Sequence, residues 1–548
     1  MIVVTYKIIR KEETIMKKKL VSMLLCITMA ASMLAGCGGS SSTTESTTTE
    51  NSAQSTTDSS SEENTAKPTQ LVMPVNSTVT SLNRLLESYA EGWFQLAGYA
   101  DELFYAAPDE TRYYLAESCE ISEDGLVYTV KLRDNLKWHD GEAITADDVV
   151  FTMACVADTN NGASFTNVAY VGENAVVVEK VDDLTVTFTL TAPSASYFEL
   201  LGDLVLIPEH AFGGNTEIVS AEANLTDIGS GPYKVVSFND GESLVLEKFE
   251  DYYGAAPQID TIVYKVIGDA SSQEIAFQNG EINYVSLSTA AAAAAYEGKD
   301  GVSVYTVPEG KVKFLAWNKF CPTWENPDMV KAVFMALNQE EIIAGAYGIM
   351  GQPANTILGN QNLYQDPSVK GYTQDLETAK ALAESSGIAG KTITLYYNQE
   401  RTYQKETALI IQQQLKAINV TVDVQGVDST RFFEIVFSEQ DDYELFLNEY
   451  GATGDPDSVV KGMYNGTWGC NVDTSDEILA LFNEGSVTAD PAARQEIYTK
   501  LQQLAVEQYL VYPIAYPNLC FAVTSNLKGV DVLTTTPLFE DYTKLYFE

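Results

Sequence analysis

The sequence predicts an α/β protein whose folded body is divided into two or more lobes. Of the 548 residues, about 480 follow an amino-terminal region of biased composition, and this exceeds the size at which one hydrophobic core stops growing. In the second half of the chain, strand patterns alternate with helix patterns, which is typical of α/β folds. Apolar residues make up 45% of the chain, enough to bury a core in each lobe.

Residues 16–37 have the pattern of a secretory signal. Three lysines precede an apolar run of about 16 residues, shorter than the roughly 20 that cross a bilayer. The run ends in Leu-Ala-Gly-Cys37, which resembles a bacterial lipobox. We therefore expect residues 1–36 to be a signal peptide with its true start at Met16, and Cys37 to be the lipidated first residue of the mature protein.

Residues 37–67 are predicted to be a tether. From Gly38 to about Thr65 almost every residue is Ser, Thr, Gly, Glu, Asn or Gln, and such a segment cannot bury enough apolar surface to become ordered. It is typical of a flexible linker between a lipid anchor and a folded body. The alternative is a disordered amino terminus without an anchor.

The charge of the chain is strongly negative, with 33 basic against 76 acidic residues. This argues against binding to nucleic acid or to anionic lipid surfaces. It is compatible with a cationic ligand. Because the acidic residues are scattered along the chain, solubility explains them equally simply.

Cysteine and histidine usage narrows the chemistry. Histidine occurs only at His139 and His210, so a histidine-dependent hydrolase or a multi-histidine metal site is not expected. Beyond the signal and Cys37, the cysteines are far apart and form no Cys-x-x-Cys pair, which argues against a ribbon-type zinc site. They are Cys119, Cys155, Cys321, Cys470 and Cys520. We expect no metal or cofactor, and the sequence leaves their disulfide pairing open.

Local patterns in the first half predict mixed strands and helices. Aromatic residues at 93–96 and 103–105 are predicted to share helical faces. Asp124-Gly125 is a tight-turn signal between two strands. Thr145 is a predicted N-cap, with a capping-box partner three residues on, for a helix over residues 147–154.

The second half has a clearer alternation of elements. Helices are predicted over residues 329–337, 340–347, 376–385, 403–418, 477–484 and 492–507, and strands over residues 392–398, 420–424 and 443–447.

Four sequence blocks together carry a family resemblance. They are residues 128–151, residues 228–235 with Asp251-Tyr-Tyr-Gly downstream, residues 277–284, and residues 330–343 with Gly351-Gln-Pro-Ala after them. The set resembles the extracytoplasmic solute-binding proteins of ABC importers, family 5, the dipeptide, oligopeptide and nickel type. The order and spacing of the blocks span nearly all of residues 68–548, and a lipobox with a Ser-rich tether fits that family in a bacterium with a single membrane.

The resemblance implies a two-lobed, periplasmic-binding-protein-like clamshell of class II, with an extra domain inserted in the first lobe. We expect lobe I over residues 68–310 with the inserted domain at about 106–225, lobe II over 311–518, and a return to lobe I over 519–548. Ligand is expected to be trapped at the lobe interface, because its contacts are complete only when both lobes meet. No catalytic residues are expected.

Three segments fit the lining of such a cleft, because they place aromatic and polar side chains at strand ends. The predicted ligand-binding residues are Trp317, Asn318, Tyr450, Gly451, Thr453, Asp455, Tyr464 and Trp468. Trp317 fits a core position equally well, and Asp455 fits a turn residue that caps its own backbone.

One sequence position leaves the class of ligand undecided. In peptide-binding relatives, an aspartate four residues before the loop proline holds the α-ammonium of the peptide. Here the proline is Pro456 and the matching position is Ala452. Asp455 or Glu449 could take the cation instead, or a shifted alignment could restore the match.

The leading hypothesis is a lipid-anchored receptor on the extracytoplasmic face of the cell membrane that delivers peptides to an ABC permease. The first alternative is the same scaffold binding an oligosaccharide, for which Trp317 and Trp468 would suit sugar faces. The second is an extracellular hydrolase. We expect a monomer with no nucleic-acid partner.

Overall fold

The structure is a computed structural model that describes residues 69–87, 90–106, 110–401, 403–452, 454–457, 460–466, 471–530 and 541–548. The predicted signal peptide, the tether and Cys37 lie outside these residues, as do Thr453, Trp468 and Cys470, so these predictions stay untested. Within the described ranges, no helix is long and apolar enough to cross a membrane.

The strands of the described residues form one eight-stranded sheet, two four-stranded sheets and three two-stranded sheets. In chain order the strands are β1 (Gln70–Val75), β2 (Phe104–Ala106), β3 (Thr111–Tyr113), β4 (Ala116–Ile121), β5 (Val127–Leu132), β6 (Tyr170–Val171), β7 (Asn174–Ala175), β8 (Val177–Lys180), β9 (Thr185–Thr189), β10 (Tyr233–Asn239), β11 (Ser243–Lys248), β12 (Thr261–Val266), β13 (Tyr284–Ser286), β14 (Val302–Pro308), β15 (Lys311–Trp317), β16 (Gly351–Pro353), β17 (Thr392–Asn398), β18 (Thr421–Val427), β19 (Leu445–Gly451), β20 (Val511–Thr524), β21 (Leu527–Lys528) and β22 (Tyr546–Phe547).

Helices cover the faces of these sheets. The α-helices are α1 (Ala90–Leu96), α2 (Ala146–Ala157), α3 (Thr166–Ala169), α4 (Tyr197–Gly202), α5 (Glu209–Phe212), α6 (Ala270–Gln278), α7 (Ala290–Tyr296), α8 (Pro327–Ala336), α9 (Gln339–Ile342), α10 (Leu376–Ser386), α11 (Gln404–Leu415), α12 (Ser429–Val436), α13 (Val460–Tyr464), α14 (Asp476–Val487) and α15 (Pro491–Glu507). Short 3-10 or π turns lie at Thr159–Asn161, Glu222–Leu225, Pro322–Glu325, Ile343–Tyr347, Gly348–Met350, Lys416–Ile418 and Tyr542–Lys544.

The first half of the chain builds two four-stranded sheets with separate cores. One sheet has the order β1-β12-β11-β10, and the other has the order β4-β5-β9-β8. The second sheet comes entirely from residues between β1 and β10, so it is an insertion into the first. Its core includes Trp138, Phe188 and Leu201, whereas the first sheet packs around Leu71, Leu246 and residues of β20.

The second half forms an eight-stranded sheet with the order β13-β20-β15-β19-β17-β18, on which β14 and β16 also pair with β20. Successive side chains of a strand point to opposite faces, so each strand contributes to two cores. Leu315 and Leu447 join one cluster, and Phe314 and Phe446 join the cluster on the other face. Helices therefore cover this sheet on both sides.

β14 and β15 follow each other in the chain, and both pair with β20. β14 ends at Pro308 and β15 begins at Lys311, with Gly310 between them at φ +69°. β20 runs unbroken alongside and pairs first with β15 and then, from Asn518 onward, with β14. The predicted lobe bounds at 310/311 and 518/519 fall on these crossings, and the bounds themselves stay a prediction.

The helix predicted from its N-cap is confirmed, whereas a helix predicted from a short aromatic run is wrong. The Thr145 capping box is present, and its helix extends over α2. The predicted helical face at residues 103–105 is wrong, because Phe104 lies in a strand that pairs with β3. Its ring packs 4.7 Å from Phe198. Three aromatic residues are too short a run to separate helix from strand.

Candidate functional site

The candidate site is built on the loop that follows β19, a central strand of the eight-stranded sheet. The backbone N–H of Ala452 donates to the carbonyl of Gly310 at 2.8 Å. Gly310 lies in the turn between β14 and β15, so the loop begins beside the point where the chain crosses between lobes. The loop is held further by Leu363, whose N–H donates to the carbonyl of Gly454 at 3.1 Å.

Arg494, on α15, neutralises the two aspartates of this loop. Its side chain is 2% exposed. Its Nη2 donates to Asp455 Oδ1 at 2.8 Å and to Asp457 Oδ2 at 2.9 Å, and its Nη1 also donates to Asp455. Burial raises the pKa of the Asp455 carboxyl, and the guanidinium offsets only part of that rise. The loop is therefore fixed by a buried ion-pair cluster whose members neutralise one another.

The insertion that carries the β4-β5-β9-β8 sheet meets this loop. The N–H of Ala195 donates to the carbonyl of Ser486 at 3.1 Å, and Ser486 Oγ in turn donates to Asp457 Oδ1 at 2.6 Å. Glu199 Oε1 lies 1.9 Å from the place that a Cβ on Gly454 would occupy. Gly454 also has a φ of +61°. The insertion and the loop after β19 are thus in contact here, and a side chain at position 454 would meet both backbone strain and the Glu199 carboxylate.

Glu199, on α4, is the carboxylate at the centre of this contact. Burial raises its pKa to about 8, and the charges of Asp203 and Asp455 raise it as well. A hydrogen bond from the backbone of Asp455 and the charge of Arg494 act in the opposite direction. The surroundings of Glu199 therefore favour the protonated carboxyl over the ionised carboxylate.

Trp317 and Asn318, which we predicted to line the cleft, lie at the end of β15. Trp317 Nε1 donates to the carbonyl of Tyr509 at 2.9 Å, and its ring packs on the core beneath the sheet. Asn318 is fully buried, and its Nδ2 donates to the carbonyls of Gln440 and Tyr443 at 2.8 and 3.1 Å. These contacts hold the strand end in place, and a ligand role for either residue stays a prediction.

Tyr450 and Tyr464 are both buried in the core on the other face of the sheet. The Tyr450 hydroxyl donates to the carbonyl of Ile357 at 2.5 Å, and the Tyr464 ring stacks on Phe482 at 6.1 Å. Gly451, at the end of β19, has open space where a side chain would be. It is the predicted residue whose backbone a ligand could approach, whereas Thr453 and Trp468 lie outside the described residues.

Glu449 is already engaged by two lysines. It forms ion pairs with Lys313 and, at 3.5 Å, with Lys311. Although its burial acts in the opposite direction, the lysine charges keep the pKa of Glu449 below its ordinary value. Glu449 and Asp455, the two carboxylates considered as cation acceptors from the sequence, are therefore both neutralised by basic side chains of the protein itself.

Two residues of the site were missed by the sequence analysis. Arg494 lies in a helix whose pattern predicts only an amphipathic surface, and Glu199 lies in the short α4 without a motif. A buried basic residue opposite a Gly-Asp-Pro-Asp turn gives no local signal, because the partners are brought together only by the fold.

The two histidines lie outside this site. Burial lowers the pKa of His139 to about 4, and its ring contacts the backbone of Gly229 and Gly231. His210 pairs with Asp140 at 2.8 Å. Within the described ranges, no group of His, Cys, Asp and Glu could hold a metal ion.

The described cysteines are all free thiols, and they are Cys119, Cys155, Cys321 and Cys520. Burial raises the pKa of Cys119 and of Cys155 to about 12. At neutral pH these thiols are protonated and weakly nucleophilic.

Comparison with known proteins places the chain in a family. Residues 110–470 match the family model described as bacterial extracellular solute-binding proteins, family 5 Middle. The oligopeptide-binding protein AppA of Bacillus subtilis is 27% identical over 448 residues, which cover 76% of this chain and 80% of that protein.

Solved structures share the whole architecture. The substrate-binding protein CtaP of Listeria monocytogenes is 34% identical with a TM-score of 0.81, covering 87% of this chain and 99% of that one. The putative peptide-binding protein AppA of Clostridium difficile is 32% identical with a TM-score of 0.78, covering 87% of this chain and 100% of that one. The predicted two-lobed fold is confirmed, and the chain belongs to family 5 of the bacterial extracellular solute-binding proteins.

Proposed function

We propose that this protein is the substrate-binding component of an ABC importer, that it captures peptides between its lobes, and that it delivers them to a membrane permease. Family membership supports the binding role. Several relatives carry names as oligopeptide- or dipeptide-binding proteins, which supports peptides as the ligand class. The single observation that carries the proposal is the match of residues 110–470 to the solute-binding family, and the contact of Glu199 with Gly454 supports closure between the lobes.

This contact matters because it is made between lobes. A ligand that touches both lobes adds binding free energy only to the closed form, so it shifts the population toward closure. The Arg494 cluster keeps the second-lobe side of the interface rigid. The receptor role requires a conformational change when ligand binds, and it requires no covalent reaction.

The two alternatives have less support. The oligosaccharide hypothesis used Trp317 and Trp468 as sugar platforms, and the ring of Trp317 packs on the core. The hydrolase hypothesis needs a general base, and the two histidines contact Gly229, Gly231 and Asp140, not each other or the loop after β19. The relatives are binding proteins, which favours the receptor.

The test is to identify what the protein carries. We would purify the full chain under native conditions, release bound molecules with acid, and analyse them by mass spectrometry. Protein unfolded in guanidinium, washed and refolded serves as the ligand-free control. A mixed peptide population in the native sample alone is expected, whereas a single sugar species would overturn the peptide assignment.

We also propose that Cys37 carries the lipid that holds the protein on the outer face of the cell membrane. Cys37→Ser should release the protein into the medium or leave it unprocessed. Cys26→Ser, within the apolar run of the signal, is the matched control and should leave processing unchanged. Membrane retention of a cleaved Cys37→Ser product would contradict the anchor.

A further inference from the structure

The eight-stranded sheet has two sides that meet along β20. On the β14 side, β13 and β14 pair with the end of β20 from Asn518 onward, and on the β15 side, β15, β19, β17 and β18 follow in order. Pro513 and Pro517 of β20 have no N–H to donate to the sheet. The register of β20 against β15 shifts beside Pro513, and Gly310 joins β14 to β15 at a φ of +69°. Strands bend at such shifts, so the two sides meet at a bend line where the sheet can flex.

Tyr403 reaches across this bend line. It directly precedes α11, which follows β17 on the β15 side. Its hydroxyl lies 3.0 Å from the carbonyl oxygen of Ser288, which follows β13 on the β14 side. The same hydroxyl lies 2.9 Å from Met350 Sδ, so one proton is shared between two acceptors. The hydrogen bond to Ser288 therefore links the two sides of the sheet.

The backbone of Tyr403 has an uncommon conformation. Its φ is +68° and its ψ is −11°, a region that bulky residues rarely enter and that persists only where the surroundings enforce it. The Tyr403 ring lies 5.0 Å from the ring of Tyr347, which belongs to the core on the β15 side. The side chain also packs against a cluster that contains Leu287 and Ala293 of the β14 side. Contacts on both sides therefore hold the tyrosine in place.

A neighbouring segment crosses the same bend line. Gly348 has a φ of +55°, and a Cβ added there would lie 3.2 Å from the Cβ of Ala290, in the first turn of α7. Asn518 Nδ2 donates to the carbonyl of Ile349 at 3.1 Å. Residues 348–350 and Tyr403 thus form one contact surface against the β14 side.

We propose that Tyr403 is a positioning residue that holds the two sides of the sheet in the closed arrangement and so slows the release of ligand. This inference rests on the proposed function. When the sheet flexes open along the bend line, the Tyr403 hydroxyl separates from Ser288, and the backbone of Tyr403 is free to leave its positive φ. Without the hydroxyl the strain remains and the hydrogen bond is lost, so opening becomes easier and the closed form is less populated.

The test measures the release of ligand from the purified full chain. The protein is unfolded, washed and refolded to remove carried molecules, loaded with an isotope-labelled pool of synthetic tri- to pentapeptides, and chased with the unlabelled pool. Rapid filtration with mass spectrometry gives the rate of release. Small-angle X-ray scattering of the ligand-free protein gives its compaction, and urea unfolding gives its stability.

Tyr403→Phe keeps the ring and removes the hydroxyl. It should release the pool about 2- to 10-fold faster than wild-type protein, as expected for the loss of one neutral hydrogen bond, and its ligand-free form should scatter as a more expanded particle. Tyr372→Phe is the matched control, because the Tyr372 hydroxyl donates to the carbonyl of Val506 at 3.1 Å, and both residues pack on the β15 side. This control makes the same chemical change without crossing the bend line, so its release and scattering should match those of wild-type protein.

The outcomes separate this inference from the proposed function. A merely structural role for Tyr403 would lower stability in urea and leave release and ligand-free compaction as in Tyr372→Phe, and that result would overturn the inference. Slower release from Tyr403→Phe would overturn it as well. If wild-type protein retains no peptide, the proposed peptide function fails, while an expanded ligand-free Tyr403→Phe particle still supports the role of Tyr403 and unchanged scattering overturns it.

Discussion

Replacing Gly454 with alanine should block full closure of the lobes. The new Cβ would lie 1.9 Å from Glu199 Oε1, so the carboxylate must retreat until the gap exceeds about 3.0 Å. Retreat breaks the hydrogen bond that Glu199 accepts from the backbone of Asp455. A hydrogen bond to a charged group contributes about 1.5–3 kcal/mol, which corresponds to a loss of about 10- to 100-fold in ligand affinity.

The control is Gly162→Ala. Gly162 has the same φ of +61° with nothing within 4 Å of the added Cβ, so it shares the backbone strain and lacks the clash. We would measure ligand affinity by calorimetry, compaction by small-angle X-ray scattering, and stability by urea unfolding. Equal affinity and equal ligand-induced compaction in the two variants would refute the reasoning, because it would show that the closed form does not depend on the Glu199–Gly454 contact.

Three further predictions follow from buried polar groups. Arg494→Met should lower the free energy of unfolding by about 3–5 kcal/mol, because it leaves the buried carboxylate of Asp455 uncompensated and leaves Asp457 with only the Lys461 ammonium at 3.8 Å. Arg431→Met, which breaks an exposed pair, should cost less than about 1 kcal/mol in urea unfolding, and equal costs in the two variants would contradict the buried pair. Asn318→Ala should lower the free energy of unfolding by about 1–3 kcal/mol, because the carbonyls of Gln440 and Tyr443 lose their hydrogen bonds. It should leave ligand affinity unchanged. Lost affinity at unchanged stability would instead support the predicted ligand role of Asn318. Burial beside Gly454 raises the pKa of Glu199 to about 8, next to Asp203, Asp455 and Arg494. Opening that exposes this carboxyl should therefore release a proton, and the ligand-free protein should scatter as a more compact particle at pH 6 than at pH 9. Glu199→Gln should abolish that pH difference, and a difference of opposite sign would show that another group controls closure.

Much of the fold could be predicted because its signals are local. The Thr145 capping box and the strand at residues 392–398 are set by near neighbours in the chain, and the structure has both. The family blocks supplied the two-lobed arrangement that periodicity alone does not. The aromatic run at residues 103–105 was misassigned because strand pairing with β3 decided its conformation.

The site was harder to predict because it depends on distant partners. Asn318 at a strand end gives the same sequence pattern whether it binds ligand or holds backbone carbonyls. Asp455 looked free until the fold placed Arg494 beside it. Glu199 carries no motif, and its raised pKa arises from burial, from Asp203 four residues on, and from Asp455, which is distant in the sequence. Neither the amino-acid composition nor the spacing of residues predicts these contacts between distant side chains.

The position of β20 near the end of the chain has a consequence for biogenesis. β13, β14 and β16 pair with β20 in the described sheets, so they have no partner strand until residues 511–524 have been synthesised. Such long-range pairing makes folding slow. A nascent chain of this protein therefore holds β13, β14 and β16 without their partner strand while all the residues between them and β20 are made, so the largest described sheet is completed late.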